Sequence, residues 1–363
     1  MKKILLGTSA VALAGASATG AEAATWDLDW GGYFEASVGY ASVDADDSDE
    51  DYDGVDVLTD EEIIFTPSIT LDNGLTFGVD IQLEGKTNGD QIDESFAFVK
   101  GSFGQVLIGS ENSAGYKMTY GAPDVTWVGI NSGSLSNFIP FSGGGRGADI
   151  FRGTLGSSFV EVGRNNDAER ITYFTPRFAG FQLGVSYARD GLQDSSAAVD
   201  IDADGTLHHI FDVGANYVNS FGAFDIAVSG RYGQAELEGS DDDPFVYAVG
   251  LNVGYAGFTV GGSYAESDDS GVQDGEFFDV GVSYETGPWG FSFTYSKGEN
   301  VDNDDGANGF RDEELDQYIA GASYKLGPGV TAGVYAGYAD FEGAGGAGDI
   351  DGFVIGTGFK LAF

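Results

Sequence analysis

The sequence contains no cysteine and, outside its N-terminal segment, no long apolar run. The absence of cysteine excludes disulfide bonds, metal-thiolate sites and a cysteine nucleophile. A helix needs about 20 apolar residues to cross a bilayer, so the remaining sequence excludes a helical membrane protein. Stability therefore has to come from an extensive, closed hydrogen-bonded structure.

Basic residues are also scarce. The 363 residues include 16 lysines and arginines against 58 aspartates and glutamates, giving a formal net charge of −42. Such a charge argues against nucleic acid as a partner. Acidity of this degree would suggest disorder if apolar residues were few, but 18 tyrosines, 27 phenylalanines and 59 glycines favour strands joined by turns.

The N-terminal segment has the three parts of a secretory signal peptide. Met1 to Lys3 is basic, Ile4 to Gly15 is apolar, and Ala21 to Ala23 supplies small residues for cleavage before Ala24. Residues 1–23 are therefore predicted to direct export, and residues 24–363 to form a single domain.

The segment Glu169 to Arg189 shows how that domain is built. Ile171 and Tyr173 alternate with polar residues, and the same alternation follows the turn Pro176 to Gly180. The second face carries only polar or very small residues, so it cannot form a hydrophobic core. This pattern predicts an antiparallel hairpin with one face against lipid and the other against water.

Connections of two kinds alternate along the chain. Seven short turns and eight longer acidic or glycine-rich connections predict sixteen strands, an even number typical of bacterial outer-membrane barrels. The short turns are predicted at 72–74, 101–104, 176–180, 219–223, 256–257, 287–290 and 327–329. The longer connections are predicted near 43–60, 86–93, 110–168, 190–207, 236–243, 267–275, 298–314 and 341–350.

The predicted fold is thus all-β, a 16-stranded antiparallel transmembrane β-barrel. Carboxylates recur on the face opposite the apolar one, which indicates that the interior is an aqueous channel, as expected for about 16 to 18 strands. Aromatic residues fall at strand ends, where the membrane interfaces lie. A recurring Gly-x-Ser-Tyr unit is predicted to point serine inward and tyrosine outward, at Ser186, Ser263, Ser283 and Ser323.

Several segments together resemble the general diffusion porins of Gram-negative outer membranes, most of all the alphaproteobacterial kind. These segments are Trp30 to Tyr40, Glu94 to Gly109, Arg170 to Tyr187 and Phe359 to Phe363. The resemblance implies an outer-membrane homotrimer, a third long loop folded into the lumen, and a C-terminal phenylalanine recognised by the barrel-assembly machinery. Many relatives carry an arginine after the glycine that corresponds to Gly109, where this chain has Ser110.

The third long connection, residues 110–168, is accordingly expected to form the pore constriction. Its apolar stretches and its glycines do not suit a free external loop. We expect loop acids to face basic wall residues across the pore, which would create a transverse field. An alternative is that these charges merely tie the loop to the wall. The candidate residues are Glu111, Asp124, Asp149, Arg170 and Arg231.

Two other clusters suggest metal chemistry. Asp49, Asp51, Asp53 and Asp60 match the spacing of oxygen ligands in calcium loops, so Ca²⁺ at an external loop is one hypothesis, and a charged, soluble loop is the preferred alternative. His208 and His209 should fall on opposite faces of a regular strand, which predicts that they do not bind one metal together.

The function predicted is passive diffusion of small hydrophilic solutes and ions, with a preference for cations because inward acids outnumber inward bases. The expected surroundings are the lipid bilayer and lipopolysaccharide, and no cofactor or enzymatic activity is expected. The alternatives are an outer-membrane β-barrel hydrolase and a solute-specific channel. The sequence contains no Gly-x-Ser-x-Gly elbow to support a hydrolase.

Overall fold

A computed structural model of the protein shows a closed barrel of antiparallel strands, each hydrogen-bonded to its neighbours in the sequence. The structure describes residues 25–46, 51–86, 91–141, 152–193, 206–240, 243–268, 273–302, 312–343 and 348–363. The predicted signal peptide lies outside these residues. Within the described ranges, no helix is long and apolar enough to cross a membrane.

Sixteen strands form the barrel, as the connections predicted. The strands are β1 (Asp27–Ala45), β2 (Tyr52–Thr70), β3 (Thr76–Glu84), β4 (Ile92–Gly101), β5 (Gly104–Ser110), β6 (Glu169–Phe174), β7 (Phe181–Asp190), β8 (Leu207–Phe221), β9 (Phe224–Leu237), β10 (Phe245–Tyr255), β11 (Phe258–Asp268), β12 (Gln273–Thr286), β13 (Trp289–Asp302), β14 (Glu313–Gly327), β15 (Val330–Gly343) and β16 (Ile350–Ala362). Between β5 and β6 lie the helix α1 (Ala114–Met118) and the 3₁₀ turns Ile130–Ser132, Ser134–Asn137 and Val162–Arg164.

The barrel is closed by the pairing of β1 with β16. Gly32 and Phe363 exchange two backbone hydrogen bonds, of 3.0 and 3.1 Å. The ring of Phe363 also packs edge-on against Trp30, with centroids 6.0 Å apart. Closure leaves no sheet edge with unpaired backbone groups, which is the condition for strands to cross a bilayer.

The two faces of each strand differ as the alternation predicted. On β10, Val249 and Leu251 project outward and are about half exposed, whereas Val246 and Ala248 point inward and are buried. On β2, Ile63 is exposed while its neighbour Glu62 is nearly buried on the inner face. A wall that exposes apolar side chains outside and holds carboxylates inside fits a lipid-facing exterior.

Aromatic side chains contact one another near both ends of the strands. Close to the short turns, Phe258 stacks on Tyr284 with ring centroids 4.3 Å apart. Close to the long connections, Tyr295 packs against Tyr318 at 4.8 Å. These two belts correspond to the interface girdles of transmembrane barrels and mark the limits of the apolar band.

The seven predicted short turns each join two adjacent strands. At the tightest of them, Ala256 and Gly257 both have positive φ, as a two-residue hairpin turn requires.

The prediction for one of the long connections needs correction. Residues 43–60 were expected to be a loop, but β2 begins at Tyr52 and pairs with β1 as far as Val43, because Val55 and Val57 continue the outward apolar face.

The expectation for the two histidines also needs correction, because β8 is not regular where they lie. The pairing of β8 with β9 shifts between His208 and Phe211, and His209 has a φ of 48°. This is a β-bulge, in which two residues of one strand oppose one residue of its partner. The bulge breaks the alternation, and the two imidazole rings lie 4.9 Å apart.

Candidate pore constriction

The connection between β5 and β6 enters the lumen through the helix α1. The side chain of Ser113 caps the helix by accepting a hydrogen bond from Tyr116. The next anchors are wall serines: Ser186 on β7 accepts a hydrogen bond from the backbone of Ala114 at 3.1 Å. The loop is thus fastened to the wall from its first turn.

The loop then crosses towards the opposite wall. Asp279 on β12 accepts hydrogen bonds from the backbone N–H of Ala122 at 3.0 Å and from Nδ2 of Asn131 at 2.6 Å. Between them, Val125 donates its backbone N–H to Ser292 on β13 at 3.3 Å. One carboxylate therefore holds two points of the loop that are nine positions apart in the sequence.

Trp127 carries the loop to β1. Its indole Nε1 donates a hydrogen bond to the hydroxyl of Ser37 at 2.7 Å. The ring lies against Gly333 on β15 and Gly358 on β16, where an added Cβ would approach ring atoms at 3.1 and 2.8 Å. Two glycines on neighbouring strands therefore give the indole room to lie flat along the inner wall.

Beyond Trp127 the loop buries an apolar face against the barrel. Leu135, Ile139 and Phe141 are fully buried, and the ring of Phe138 packs against Tyr335 with centroids 5.9 Å apart. Apolar side chains that line the inside of a water-filled barrel need such a cover. The described parts of the connection, residues 111–141 and 152–168, thus fold inward, as the sequence predicted.

The returning part of the loop is fixed by Glu161. Its Oε1 accepts a hydrogen bond from the backbone of Ser113 at 2.9 Å, and its Oε2 lies 3.4 Å from Arg152. Burial alone would raise the pKa of Glu161. The guanidinium groups of Arg170, Arg152 and Arg231 outweigh burial and hold that pKa below its ordinary value. Glu161 is therefore a buried carboxylate that is kept ionised by three neighbouring arginines.

The two wall arginines named from the sequence do reach the loop, but both are buried. Arg231 forms an ion pair with Asp212 on β8 and donates a hydrogen bond to the backbone oxygen of Val160. Arg170 donates to the side-chain oxygen of Asn165 at 2.7 Å. Both therefore tie the loop to the wall, which was the alternative interpretation, and neither presents its charge to the open passage.

The three loop acids named from the sequence have different surroundings. Glu111 is fully buried and pairs with Lys117 at 2.7 Å, so it too belongs to the attachment of the loop. Asp124 is exposed to the lumen. The loop and the wall around this carboxyl group still displace much of its surrounding water, and this desolvation, with the nearby charge of Asp279, raises the pKa of Asp124 to about 7. Asp149 lies outside the described residues.

Open space remains on both sides of Trp127. A cavity of about 530 Å³ is bordered by Glu35, Asp60 and Lys86 as well as the indole. A second cavity of about 300 Å³ includes Asp124 and Trp127 in its lining. The indole of Trp127 is common to the linings of both cavities.

The barrel and its inward loop agree with the comparisons to known proteins. The model of the Gram-negative porin family matches residues 8–345. This chain belongs to that family. A chitoporin of Vibrio furnissii is 26% identical over 228 residues, which cover 53% of this chain and 60% of that protein. The match thus spans less than two thirds of that relative's length.

Solved porins show the same fold at low sequence identity. The anion-selective porin of Comamonas acidovorans has a TM-score of 0.59 and 17% identity, and the match covers 93% of this chain and 100% of that chain. The trimer form of OmpT of Vibrio cholerae has a TM-score of 0.58 and 14% identity, over 94% and 100% of the two chains. The channel DcaP of Acinetobacter baumannii has a TM-score of 0.60 and 14% identity, over 93% and 97%.

The porin therefore lies in the outer membrane and forms a transmembrane channel. Family and fold point to a channel rather than an enzyme.

The inner wall of the barrel along β2 to β4 carries acidic side chains that are hydrogen-bonded to their neighbours. Asp80 accepts a hydrogen bond from Thr66 at 3.0 Å, and Gln82 bridges Asp80 to Glu94 at 3.1 and 2.6 Å.

The structure separates the residues of the calcium hypothesis. Asp53 and Asp60 both lie in β2, on opposite faces, and seven strand residues span roughly 23 Å. Asp51 accepts a hydrogen bond from the backbone of Ala45 at 3.0 Å, and Asp60 from the hydroxyl of Tyr33 at 3.4 Å. Asp49 lies outside the described residues. The described members of this set do not form one coordination sphere.

Three residues of the constriction were not foreseen from the sequence. Trp127, Asn131 and Glu161 all lie in the inward loop, where no strand period assigns a direction to each side chain. The sequence did contain one indication of where the loop attaches, namely the serines predicted to point inward from the barrel strands. Inward serines such as Ser186 and Ser263 are the hydroxyls to which loop groups bind, and Ser263 contacts the hydroxyl of Ser158 at 2.6 Å.

Proposed function

We propose that this porin mediates passive diffusion of small hydrophilic solutes and ions, and that it prefers cations. The observation that carries the preference is the acidic wall beside the larger cavity. Asp60 is exposed on the inner face of β2, and Asp80 lies on the neighbouring strand β3, where it accepts a hydrogen bond from Thr66. A narrow passage lined by one sign of charge concentrates ions of the opposite sign.

Three basic groups on the inner wall are matched by acids. Lys360 pairs with Glu35 across the β1–β16 seam. Lys325 lies 3.0 Å from Glu285. The pair of Arg231 with Asp212 is buried under the loop. Since each of these three cations has a carboxylate in contact, its positive charge is largely cancelled. Asp60, Asp80 and Asp124 add negative charge to the lumen, against the single charge of Lys86 beside Asp60.

Reversal potentials of the purified protein in a planar bilayer test this preference. At about 0.01 M salt, where the Debye length is about 30 Å, cations should dominate the current, and the preference should shrink near 1 M, where that length is about 3 Å. Asp60→Asn should lower the cation preference. Asp53→Asn is the matched control, because it removes the same charge from the outer face of the same strand. Anion selectivity at low salt would contradict the proposal.

We further propose that the porin assembles as a homotrimer in contact with lipid and lipopolysaccharide. A structural relative, OmpT of Vibrio cholerae, occurs in a trimer form, which supports the assembly. The apolar exterior supports contact with lipid. Native mass spectrometry of the protein extracted from outer membranes tests the stoichiometry. A monomer under conditions that keep the barrel folded would contradict it.

A solute-specific channel is the second candidate, and the position of Trp127 favours it. An indole bordering both lumen cavities provides an apolar surface for the faces of a sugar ring, with Asp124 and Ser37 nearby as polar partners. The 26% identical relative is a chitoporin. Chito-oligosaccharides should then block the ion current in a saturable manner, and Trp127→Ala should weaken the block. If chito-oligosaccharides did not block the ion current, general diffusion would be the only function supported.

The hydrolase alternative finds little support. In the described part of the chain, His209 hydrogen-bonds to Tyr187 and His208 lies between two glutamates. A nucleophilic serine would need a histidine within hydrogen-bond distance. Among the described residues, neither histidine forms a hydrogen bond with a serine.

A further inference from the structure

The bulge in β8 creates a cluster of metal-ligating side chains that is separate from the constriction. Ligand atoms of His208, His209 and Glu236 all lie within 4.8 Å of one another. A regular strand would have placed the two imidazoles on opposite faces. The bulge, with the positive φ of His209, instead brings both imidazoles within reach of Glu236 on β9.

His208 supplies an independent sign that this cluster binds a ligand. Its side chain is only 7% exposed, and neither ring nitrogen has a hydrogen-bond partner. Instead, Nδ1 lies 3.7 Å from Glu236 Oε2, and Nε2 lies 3.5 Å from Glu238 Oε2. Buried polar atoms are nearly always satisfied in folded proteins, so two unsatisfied nitrogens in one ring need an explanation.

His209 is held in an orientation suited to metal binding. Its Nδ1 lies 2.9 Å from the hydroxyl of Tyr187, and the two rings stack. The other nitrogen, Nε2, is thereby left to coordinate. Metal-binding histidines usually have their second nitrogen engaged in this way, because the outer contact fixes the tautomer and the ring plane.

We propose that His208, His209 and Glu236 bind a zinc-type divalent transition metal. Two imidazoles and one carboxylate match the donors that Zn²⁺ accepts, whereas Ca²⁺ and Mg²⁺ require oxygen donors. Three protein ligands leave a fourth position for water or for Glu238. Modest rotations about side-chain bonds bring the donors from their present spacing to about 2.0 Å from a shared ion.

The cluster is accessible from solution. It lies at the end of β8 that adjoins the long connection 191–206, and the side chain of Glu236 is 56% exposed. The neighbouring Leu207 packs against Gly163 of the inward loop. A bound ion would therefore join β8 to β9 beside the point where the returning loop meets the wall.

Isothermal titration of Zn²⁺ into the folded, detergent-solubilised protein tests the proposal. One equivalent per chain should bind, and Zn²⁺ should raise the thermal unfolding temperature because it stabilises only the folded state. His209→Asn and Glu236→Gln should each weaken binding by at least about tenfold, and Tyr187→Phe by about 10- to 100-fold. Glu276→Gln, an exposed acid on the outer face of β12, should leave binding unchanged.

Each other outcome would overturn the proposal. Absence of Zn²⁺ binding, binding no tighter than that of Ca²⁺, or full binding by both His209→Asn and Glu236→Gln would show that the cluster is only a histidine-carboxylate contact. His209→Asn and Glu236→Gln are the decisive variants because their side chains are more exposed than His208, whose replacement would disturb a buried position. Electrophoretic mobility before and after heating confirms that each variant is folded.

Discussion

Asn131, in the inward loop, donates a hydrogen bond of 2.6 Å to Asp279, in the barrel wall. The same carboxylate accepts the backbone N–H of Ala122, so one side chain fixes both sides of the loop segment that carries Trp127. The amide oxygen of Asn131 in turn accepts hydrogen bonds from Ser157 and Ser158, of 3.1 and 3.0 Å. The outgoing and returning parts of the loop are thereby joined at a single point of the wall.

The first prediction concerns this attachment. Asp279→Ala should leave the Ala122 N–H and the Asn131 amide without their buried acceptor, at a cost of about 1–3 kcal/mol each. The loop should then move more freely, which should appear as larger open-channel current noise and a lower thermal unfolding temperature. Glu276→Gln on the outer face of the same strand is the control. Unchanged noise in Asp279→Ala would show that the other anchors suffice.

The barrel could be predicted from the sequence because each of its strands carries a period of two. Ile63 beside Glu62, or Val249 beside Ala248, assigns an outer and an inner face without any knowledge of the neighbouring strands. Turn residues such as Gly257 then fixed where strands end. Fold and function class followed from these local signals.

The details of the constriction could not be predicted in the same way. Glu161 meets Arg170 and Arg231 only because the returning loop passes the inner wall, and no local pattern in the sequence encodes that path. The bulge at His209 was equally hidden, since the strand period on either side of it is regular. Contacts that depend on chain segments far apart in sequence require the folded structure.

The second prediction concerns the lipid-facing surface. Phe293 is 50% exposed on the outer face of β13, near the middle of the strand. Phe293→Arg should destabilise the folded barrel by about 2–4 kcal/mol in a bilayer, because a charge at mid-depth is costly. Val301→Arg, on the same face but at the end of the strand, should cost only about 0–1 kcal/mol. Equal costs measured by urea unfolding in vesicles would contradict the assigned membrane position.

The third prediction concerns pH. Burial and the charge of Asp279 raise the pKa of Asp124 to about 7, so this carboxyl group is neutral at pH 5 and ionised at pH 8. Cation preference should therefore increase as the pH rises through 7. Because the folded-state pKa lies above the unfolded value, the stability that the protonated group contributes is full below about pH 4 and is lost as the pH rises through 7.

Asp124→Asn should remove the component of the pH profile that has its midpoint near 7. Reversal potentials recorded between pH 5 and 8 measure it. Asp53→Asn, on the outer face of β2, should keep the original profile. An identical profile in Asp124→Asn would show that other groups, not this loop acid, control the field in the passage.

The fourth prediction separates buried from exposed ion pairs. Arg231→Ser removes one partner of the buried pair with Asp212, and leaving a buried charge unpaired costs about 3–5 kcal/mol. Arg189→Ser acts on an exposed pair with Asp190, which is worth about 0–1 kcal/mol. Thermal unfolding in detergent compares the two. If both substitutions cost equally little, Arg231 would not be an anchor of the loop.

The last prediction concerns the size limit of the channel. Deleting residues 121–133 removes Trp127 together with both contacts to Asp279, while all sixteen strands and their pairings remain. The barrel should therefore still form, and both single-channel conductance and the largest solute admitted in liposome-swelling assays should increase. Trp127→Ala should give a smaller increase in the same direction, because it widens the passage without removing the loop. If the deletion left conductance and size limit at their original values, the passage would have to be limited elsewhere along the barrel, since no other described segment crosses the lumen.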